Sequence, residues 1–472
     1  MKHYFNKLSV LLLLASLVPT SMRAQFVRST YFMDNVSFRQ QLNPALTPQT
    51  GFINLPVIGS FNAAISSNSV GMKDVVDIID NSSDADYFRD QSFINALKNN
   101  NNINLNVSTD MVSLGWYKGK GFWTVNYGLR LDAGFDIPKS IFQFFHDVHG
   151  ATDPIQWVNF NRSFGGERLN INAYMETGLG YAYPLNDKLT IGAKAKILLG
   201  IANLRFTVDK LNVGTRVNGV DIHQDWSKLT NEDLKHITGD AFVEADAKLE
   251  ATMSGFELID GNNGIVSKME RGTFGVSGMG LGFDLGAAYK LTPQLTLSAA
   301  LLDLGFISWG GGNSYSASSN TRRDYHFTPH NLTEAIEFRD MMASGQLFNF
   351  DMLQVKQEKG TARTTGLYTT MVFGGEYKLL NDKLSLGLLS TTRFLQPSTV
   401  TELTLSSGYQ ISKMLGFSLT YSMIQSGGTG LGLGMKLGPL VVATDYLYFG
   451  NSTRCVNALL GISIPLGGRK KS

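Results

Sequence analysis

The sequence predicts an all-β protein: a transmembrane antiparallel β-barrel of about 14 strands with an N-terminal plug segment and helix-containing extracellular loops. Three observations carry the prediction. Residues 275–290 place Met279, Leu281, Phe283, Leu285 and Tyr289 on one strand face and Gly278, Gly280, Gly282, Asp284 and Gly286 on the other; read at period two, one face suits lipid and the other a crowded interior. No stretch after the N-terminus is apolar on all faces over the roughly 20 residues a spanning helix needs, so any membrane crossing uses strands. Read back from the C-terminus, the connections alternate short and long, as they do in barrels with tight periplasmic turns and long extracellular loops.

Lys2 and Lys7 precede the apolar run Leu8–Val18, and Met22-Arg23-Ala24 forms a small-residue junction before Gln25. Residues 1–24 therefore read as a cleavable secretory signal. Cys455 is the only cysteine and lies far from that junction, which argues against a disulfide and against a lipid-modified N-terminus. Mean hydropathy is −0.04, which would pass for soluble in a helix scan. A barrel turns its polar side chains inward and its apolar ones outward, so the average conceals the pattern. The balance of 41 basic and 39 acidic residues argues against a nucleic-acid surface.

Residues 25–51 precede the first strand and contain Leu42-Asn43-Pro44-Ala45-Leu46-Thr47-Pro48. Two prolines exclude a regular central strand or helix, and Asn-Pro signals a turn. This segment is expected to plug the lumen, with Asn43, Pro44 and Ala45 at its centre.

The barrel is expected to occupy 52–466, followed by a short periplasmic tail, 467–472. Strands are expected near 52–66, 103–117, 121–136, 168–184, 188–205, 275–290, 294–308, 366–379, 383–395, 399–411, 414–425, 429–437, 439–450 and 454–464. Tight turns fall at Lys118–Lys120, Asn186-Asp187, Leu291–Gln294, Asn381-Asp382, Ser412-Lys413 and Lys436–Leu440, at every second connection. The long segments are 67–102, 137–167, 206–273 and 309–365. Asp240–Gly255 also alternates, yet as a wall strand it would make the count odd and set Glu or Lys in lipid. An extracellular hairpin with 206–218 accommodates it.

Within the wall, Trp123, Val125, Tyr127, Leu129, Leu131 and Phe135 are expected to face lipid, as are Leu189, Ile191, Ala193, Ala195, Ile197, Leu199 and Ile201. Lysines on that face near the midplane would cost about 2–4 kcal/mol, so register is strongly specified. The interior then holds Arg130, Asp132, Glu176, Lys194, Lys196, Asp284, Glu376 and Lys378. These could form a selective constriction; paired ions bracing the lumen is the reading favoured here, because buried charges need partners.

Loop 137–160 has Pro138 and Ser140 near a helix start and Phe142, Phe145 and Val148 at helical spacing. Helical patterns also occur at Val75–Ile79, Phe93–Leu97 and Leu332–Ala343. Phe142, Phe145 and Trp157 are the candidate ligand-capture residues; packing of these aromatics onto the barrel rim is the reading favoured here. Other motifs carry little. His146 with His149 and His326 with His330 lack a third nearby metal ligand, and Gly430–Gly434 lies in a period-two strand rather than a nucleotide loop. No catalytic residue, metal or cofactor is assigned.

The Asn43-Pro44-Ala45 sequence before the first strand resembles that of the long-chain fatty-acid transporter superfamily, outer-membrane barrels of fourteen strands plugged by an N-terminal segment. The pieces Phe32–Pro48, Asp136-Ile137-Pro138 and Ser298–Trp309 are similar to those of an uncharacterised outer-membrane barrel family of the Bacteroidetes, grouped with fatty-acid-transporter-like and type IX secretion accessory barrels. One departure is that the last strand runs into Gly467-Gly-Arg-Lys-Lys-Ser472 rather than ending on an aromatic residue. The resemblance implies an outer-membrane protein of a Gram-negative bacterium with both termini periplasmic. It also implies a passive, non-enzymatic channel surrounded by lipid, taking up hydrophobic or amphipathic small molecules. An accessory barrel that holds an envelope or secreted protein partner is the alternative.

Overall fold

The computed structural model describes residues 27–54, 60–71, 73–74, 91–148, 159–218, 229–254, 256–260, 266–271, 275–310, 314–343, 356–394, 399–424, 428–447, 449–450 and 453–468. The wall begins with β1 (Thr50–Asn54) and β2 (Ser60–Ser67), two parts of one wall position, and continues through β3 (Asn100–Lys118) and β4 (Gly121–Pro138). After the short β5 (Phe160–Phe164) come β6 (Glu167–Pro184) and β7 (Leu189–Asn218), then β8 (Thr238–Met253), β9 (Phe256–Asp260) and β10 (Val266–Arg271) outside the wall. β11 (Gly278–Lys290) and β12 (Leu295–Trp309) return to it; β13 (Ser314–Phe327) and β14 (Lys356–Lys359) leave it again. β15 (Arg363–Gly366) and β16 (Thr370–Leu379) share one wall position, followed by β17 (Leu384–Arg393), β18 (Val400–Gln410), β19 (Leu415–Ile424), β20 (Gly428–Leu437), β21 (Leu440–Thr444) and β22 (Cys455–Gly468). β22 pairs with β1 and β2, which pair with β3, so fourteen antiparallel wall positions close without an edge.

The alternation explains the closure. Met279, Leu281 and Phe283 are about half exposed on the outer face, while Asp284, on the inner face, is buried. A slip of one residue would turn Lys196 and Asp284 to lipid. The tight turns lie at one end, together with the ends of β1 and β22. With no edge left open and an apolar girdle outside, the protein resides in an outer membrane with its termini on the periplasmic side. Expected domain 1–24 lies outside the described residues, as do Val75–Ile79, His149 and the tail from 469.

Four helices lie among the described residues of the long connections: α1 (Gln91–Ala96), α2 (Lys139–Val148), α3 (Asn231–Leu234) and α4 (Thr333–Ala343). α1, α2 and α4 fall where helical spacing predicts them. The short α3 has a capping box, Thr230 and Asp233 exchanging side-chain and backbone bonds.

Several wall details differ from expectation. β21 stops at Thr444, where Asp445 turns inward to bond the N-terminal segment. The expected strand 366–379 is broken at residues 367–369, and Leu367 packs inward with Tyr174, Leu198, Ile307 and Trp309. Opposite the break, Asp303 takes a positive φ of 57° at a bulge between β11 and β12.

β8 pairs with β7 over Ala202–Asn218 as an extracellular hairpin, in agreement with its exclusion from the wall. Its other edge pairs with β13, in a segment expected to be loop. β13, Ser-Tyr-Ser-Ala-Ser-Ser-Asn-Thr-Arg-Arg-Asp-Tyr-His-Phe, has almost no apolar alternation. The unpaired edge of β8 makes it a strand, by offering a row of backbone partners. One face of this outer sheet carries Ala241, Val243, Ala245, Ala247, Leu249, Ala251 and Met253, all buried. They pack with Phe142, Phe144, Phe160, Phe164, Phe206, Phe327 and Phe338 in the largest apolar cluster among the described residues. The other face is polar and, through Asn203 and Arg205 of β7, continues the lumenal side of the wall.

Candidate functional site in the barrel lumen

Residues 27–49 enter the lumen rather than the sheet. Their backbone bonds are local 3₁₀ turns, such as Tyr31 N–H to Arg28 O and Leu42 N–H to Arg39 O. Two prolines and the lack of alternation leave no strand to form, so the wall grips the segment through side chains. Asn43, fully buried, donates its amide to the Ala287 and Ala299 carbonyls at 3.3 and 3.1 Å, while its Oδ1 accepts from Ala45 N–H at 2.9 Å. Pro44 and Ala45 sit against Gly192 and Gly286, where an added Cβ would overlap Pro44 and Asn43. Those two glycines are required by this close approach.

Further anchors lie along the segment. Asp445 accepts from the backbone N–H of Arg28 and Ser29, at 2.9 and 2.7 Å, and the Arg28 guanidinium lies 3.1 Å from Glu402. At the periplasmic end Asp34 bonds both Arg39 and Lys378. Burial alone would raise the Asp34 carboxyl, but the two cations win and hold it at about 2. Beside it a small cleft opens among Phe32, Asp34, Glu376 and Lys436. Glu376 is buried there with Oε1 unpartnered.

Two apolar pads on the inner wall are covered by the segment. Tyr31, Phe32, Leu42 and Leu46 lie on Ala300, Leu302, Val372 and Leu389. Val27, Met33, Val36 and Phe38 lie on Val441, Ala443 and Leu459.

A charged network crosses the lumen beside the segment. Arg130 lies 2.8 Å from Asp110 and 3.5 Å from Glu176; Lys196 lies 2.7 Å from Asp284, 2.6 Å from Asp303 and 3.6 Å from Glu176. All of these groups are buried. Their mutual attraction offsets a desolvation penalty of several kcal/mol per ion, so removing one partner is costly. Lys194 is lumenal and half-buried, and it runs beside Gly178. Asp132 stands apart from this network. It accepts from Arg393 at 2.7 Å and from Asn106.

The other sequence candidates fall elsewhere. Phe142 is buried in the extracellular core, edge-on to Phe93 at 5.6 Å, so a ligand would reach its ring only if that core opened. The Phe145 side chain and Trp157 lie outside the described residues. Asp110, Asp303, Glu402, Asp445, Arg28 and Arg393 were missed. Glu402 was accessible by alternation with Leu403 and Leu405; Asp303 was not, because a bulge puts it inside.

A model of the Family of unknown function (DUF5723) matches residues 44–445. No curated protein matches the sequence. Among solved structures, the chain is similar to a deltaS2S3 mutant of the TodX monoaromatic hydrocarbon channel, with 9% identity, 95% of this chain and 96% of that chain covered, and a TM-score of 0.41. It is similar to the Pseudomonas putida toluene transporter TodX, with 8% identity, 94% and 93% covered, and a TM-score of 0.35. It is also similar to a Pseudomonas aeruginosa FadL homologue, with 10% identity, 94% and 98% covered, and a TM-score of 0.40.

Proposed function

The chain belongs to the family of unknown function DUF5723, and we propose that it is a passive outer-membrane uptake channel for hydrophobic or amphipathic small molecules, with residues 27–49 as its plug. One observation carries the reading: the segment that fills the lumen shares no strand pairing with the wall. It can therefore shift without breaking a ladder of the barrel. Its departure would uncover the two apolar pads, an inner surface suited to an apolar ligand and unusual in a water-filled pore.

Asn43, Pro44 and Ala45 are the part of the plug that shifts in this reading, and Phe142, with its neighbours in loop 137–160, belongs to the capture region. Capture there requires loosening of the extracellular core. Arg130, Glu176, Lys196 and Asp284 brace the lumen rather than select. The ligand leaves to the periplasm, or sideways at the break in the wall at residues 367–369. No energy source is needed, because the ligand moves down its gradient.

A disulfide between plug and wall tests this. The Ser37 and Ser463 hydroxyls are 3.0 Å apart, so the double variant S37C/S463C, in a Cys455→Ser background, should lock the plug under oxidation. Whole-cell uptake of radiolabelled dodecanoate and toluene should stop when the bond forms and resume on reduction. Uptake indifferent to the lock would overturn the plug role. A second reading, an accessory barrel for secretion or surface anchoring, draws on the size of the outer β7–β8–β13 sheet. It predicts co-purification of a specific envelope protein and no ligand uptake.

A further inference from the structure

We infer that the periplasmic corner formed by the β3–β4 and β6–β7 turns is a binding site for an anionic phospholipid of the periplasmic leaflet, with lysines for its phosphate and an aromatic platform for its glycerol region and chains. The inference is independent of what the lumen transports.

The aromatic girdle is uneven at this end of the barrel. Of the three described tryptophans, Trp309 packs inside the lumen, and the other two, Trp116 and Trp123, lie directly opposite each other on β3 and β4. Both face outward, in the parity of Val112 and Val125. On β6, the next wall position, Tyr181 and Tyr183 continue the surface. The Trp123 and Tyr181 ring centroids are 4.5 Å apart, and the Tyr181 and Tyr183 rings stack at 6.2 Å. Elsewhere at this end a strand offers a single exposed tyrosine, as at Tyr289, Tyr377 and Tyr409. Four adjoining rings make a slab of the kind that seats at the headgroup boundary. Among the described residues no side-chain bond occupies the Tyr181 or Tyr183 hydroxyl, so both can donate to phosphate or ester oxygens.

Cations stand at the periplasmic edge of the slab. The β3–β4 turn reads Tyr117-Lys118-Gly119-Lys120-Gly121, without a carboxylate, and Gly119 takes the positive φ of 62° that so tight a turn requires. A Cβ at Gly121 would overlap the Tyr181 ring, which therefore lies over the backbone next to Lys120. Lys188, in the neighbouring turn, adds a third cation, and Asp187 beside it is the one acidic residue of the two turns. All three lysines are exposed. The described ion pairs of lysine are made by others: Lys196, Lys210, Lys235, Lys248 and Lys378. Like charges two residues apart on a tight turn repel, and a shared anion offsets that repulsion.

A membrane lipid fits this corner better than a soluble anion does. The lysines border lipid-facing rings, and Leu179 is exposed on the same face one step further into the membrane; a free phosphate would leave that surface uncovered. An anionic headgroup also fits better than a zwitterionic one, whose ammonium group would meet three lysines with only Asp187 to accept it.

Quenching of tryptophan fluorescence by brominated lipid reads the site, because Trp116 and Trp123 belong to it. The full mature chain is reconstituted in dioleoyl phosphatidylcholine vesicles holding a small fraction of brominated phosphatidylglycerol or brominated phosphatidylcholine, with Trp116→Phe/Trp123→Phe supplying the background. The wild type should favour phosphatidylglycerol by about fivefold for each lysine engaged. Lys118→Ala/Lys120→Ala should lower that preference by about tenfold or more, and Lys118→Arg/Lys120→Arg should keep it. Lys413→Ala, at a turn with no tryptophan beside it, should leave it unchanged. Inorganic phosphate should reduce it no more than chloride does at equal ionic strength. Heat-modifiable gel migration confirms that each variant is folded. Equal quenching by the two lipids in the wild type, a preference that survives Lys118→Ala/Lys120→Ala, or one lost equally in Lys413→Ala would overturn the inference. A specific effect of inorganic phosphate would make the ligand a soluble anion and overturn it as well.

Discussion

Asn43→Ala tests how firmly the plug is held. In the closed barrel the Asn43 amide makes three long neutral contacts, to Ala299 O at 3.1 Å, Ala287 O at 3.3 Å and Tyr31 Oη at 3.4 Å, and its Oδ1 takes the Ala45 N–H at 2.9 Å. The first three sit at the weak end of about 0.5–1.5 kcal/mol each, and leaving the buried Ala45 N–H unpaired costs about 1–3 kcal/mol. Because the contacts share one side chain, they are not additive, and about 2–4 kcal/mol is the expected loss of docking free energy. At about 1.4 kcal/mol per decade that is roughly a 30- to 700-fold rise in the undocked population. Hydrogen exchange read by mass spectrometry on detergent-solubilised protein resolves it, because the 3₁₀ turns of residues 27–49 are protected only while the plug is docked. Their exchange should accelerate by that factor while β16–β19 stay protected. Gly286→Ala, whose Cβ would overlap Asn43, should act in the same direction by steric means. Unchanged exchange in the plug, or equal loss of protection in plug and wall, would refute a plug that docks independently of the barrel.

Lys196→Met strips the cation from Asp284, Asp303 and Glu176 and should lower stability by about 3–5 kcal/mol in urea unfolding from lipid vesicles, with partial recovery when Asp284→Asn is added. On the outer face, Leu281→Arg puts a charge in lipid and should cost about 2–4 kcal/mol in the same assay, whereas Leu281→Val should change little. Glu167 begins β6 well beyond the roughly ten residues that cross the membrane, and it is buried with neither carboxylate oxygen bonded to another residue; Arg168 and Asp136 project from the opposite face, and neither Lys139 nor Asp209 pairs with it. Burial pushes its carboxyl up to about 7, so the folded state holds that proton more tightly than the unfolded chain: stability is highest below about 4.5 and declines as pH rises to about 7. Exchange in the extracellular strands should accelerate from pH 5 to 8 after intrinsic correction, and Glu167→Gln should abolish that trend. His326 is raised above its ordinary 6.5 by its hydrogen bond to Asp240 at 2.6 Å, so this pair's contribution is complete below about 6.5 and fades as pH rises through the higher folded value; an NMR titration should show the His326 midpoint fall toward 6.5 in Asp240→Asn.

Alternation was sufficient for most of the wall. Lumenal Arg130, Asp132, Glu176, Lys196 and Asp284 could each be placed inside by parity alone, since one misplaced charge in lipid costs more than any local preference. The same parity would have found Glu402. It failed at Asp303, where a bulge reverses facing within one residue, and at β13, whose strand is made by a neighbour's edge rather than by its own residues. Helical spacing marked α2 correctly but was silent on whether Phe142 points to solvent or into a core.

By itself, then, the sequence determined the barrel, its strand count, its orientation and the facing of charges on regularly alternating strands, because a membrane penalises each wall residue locally and independently. The partners of those charges, the threading of Arg28–Thr47 through the lumen and the reach of Arg393 to Asp132 were decided only by tertiary structure. They join residues hundreds of positions apart across a closed sheet, and no local periodicity encodes which two inward-facing groups a curved wall brings within hydrogen-bonding distance.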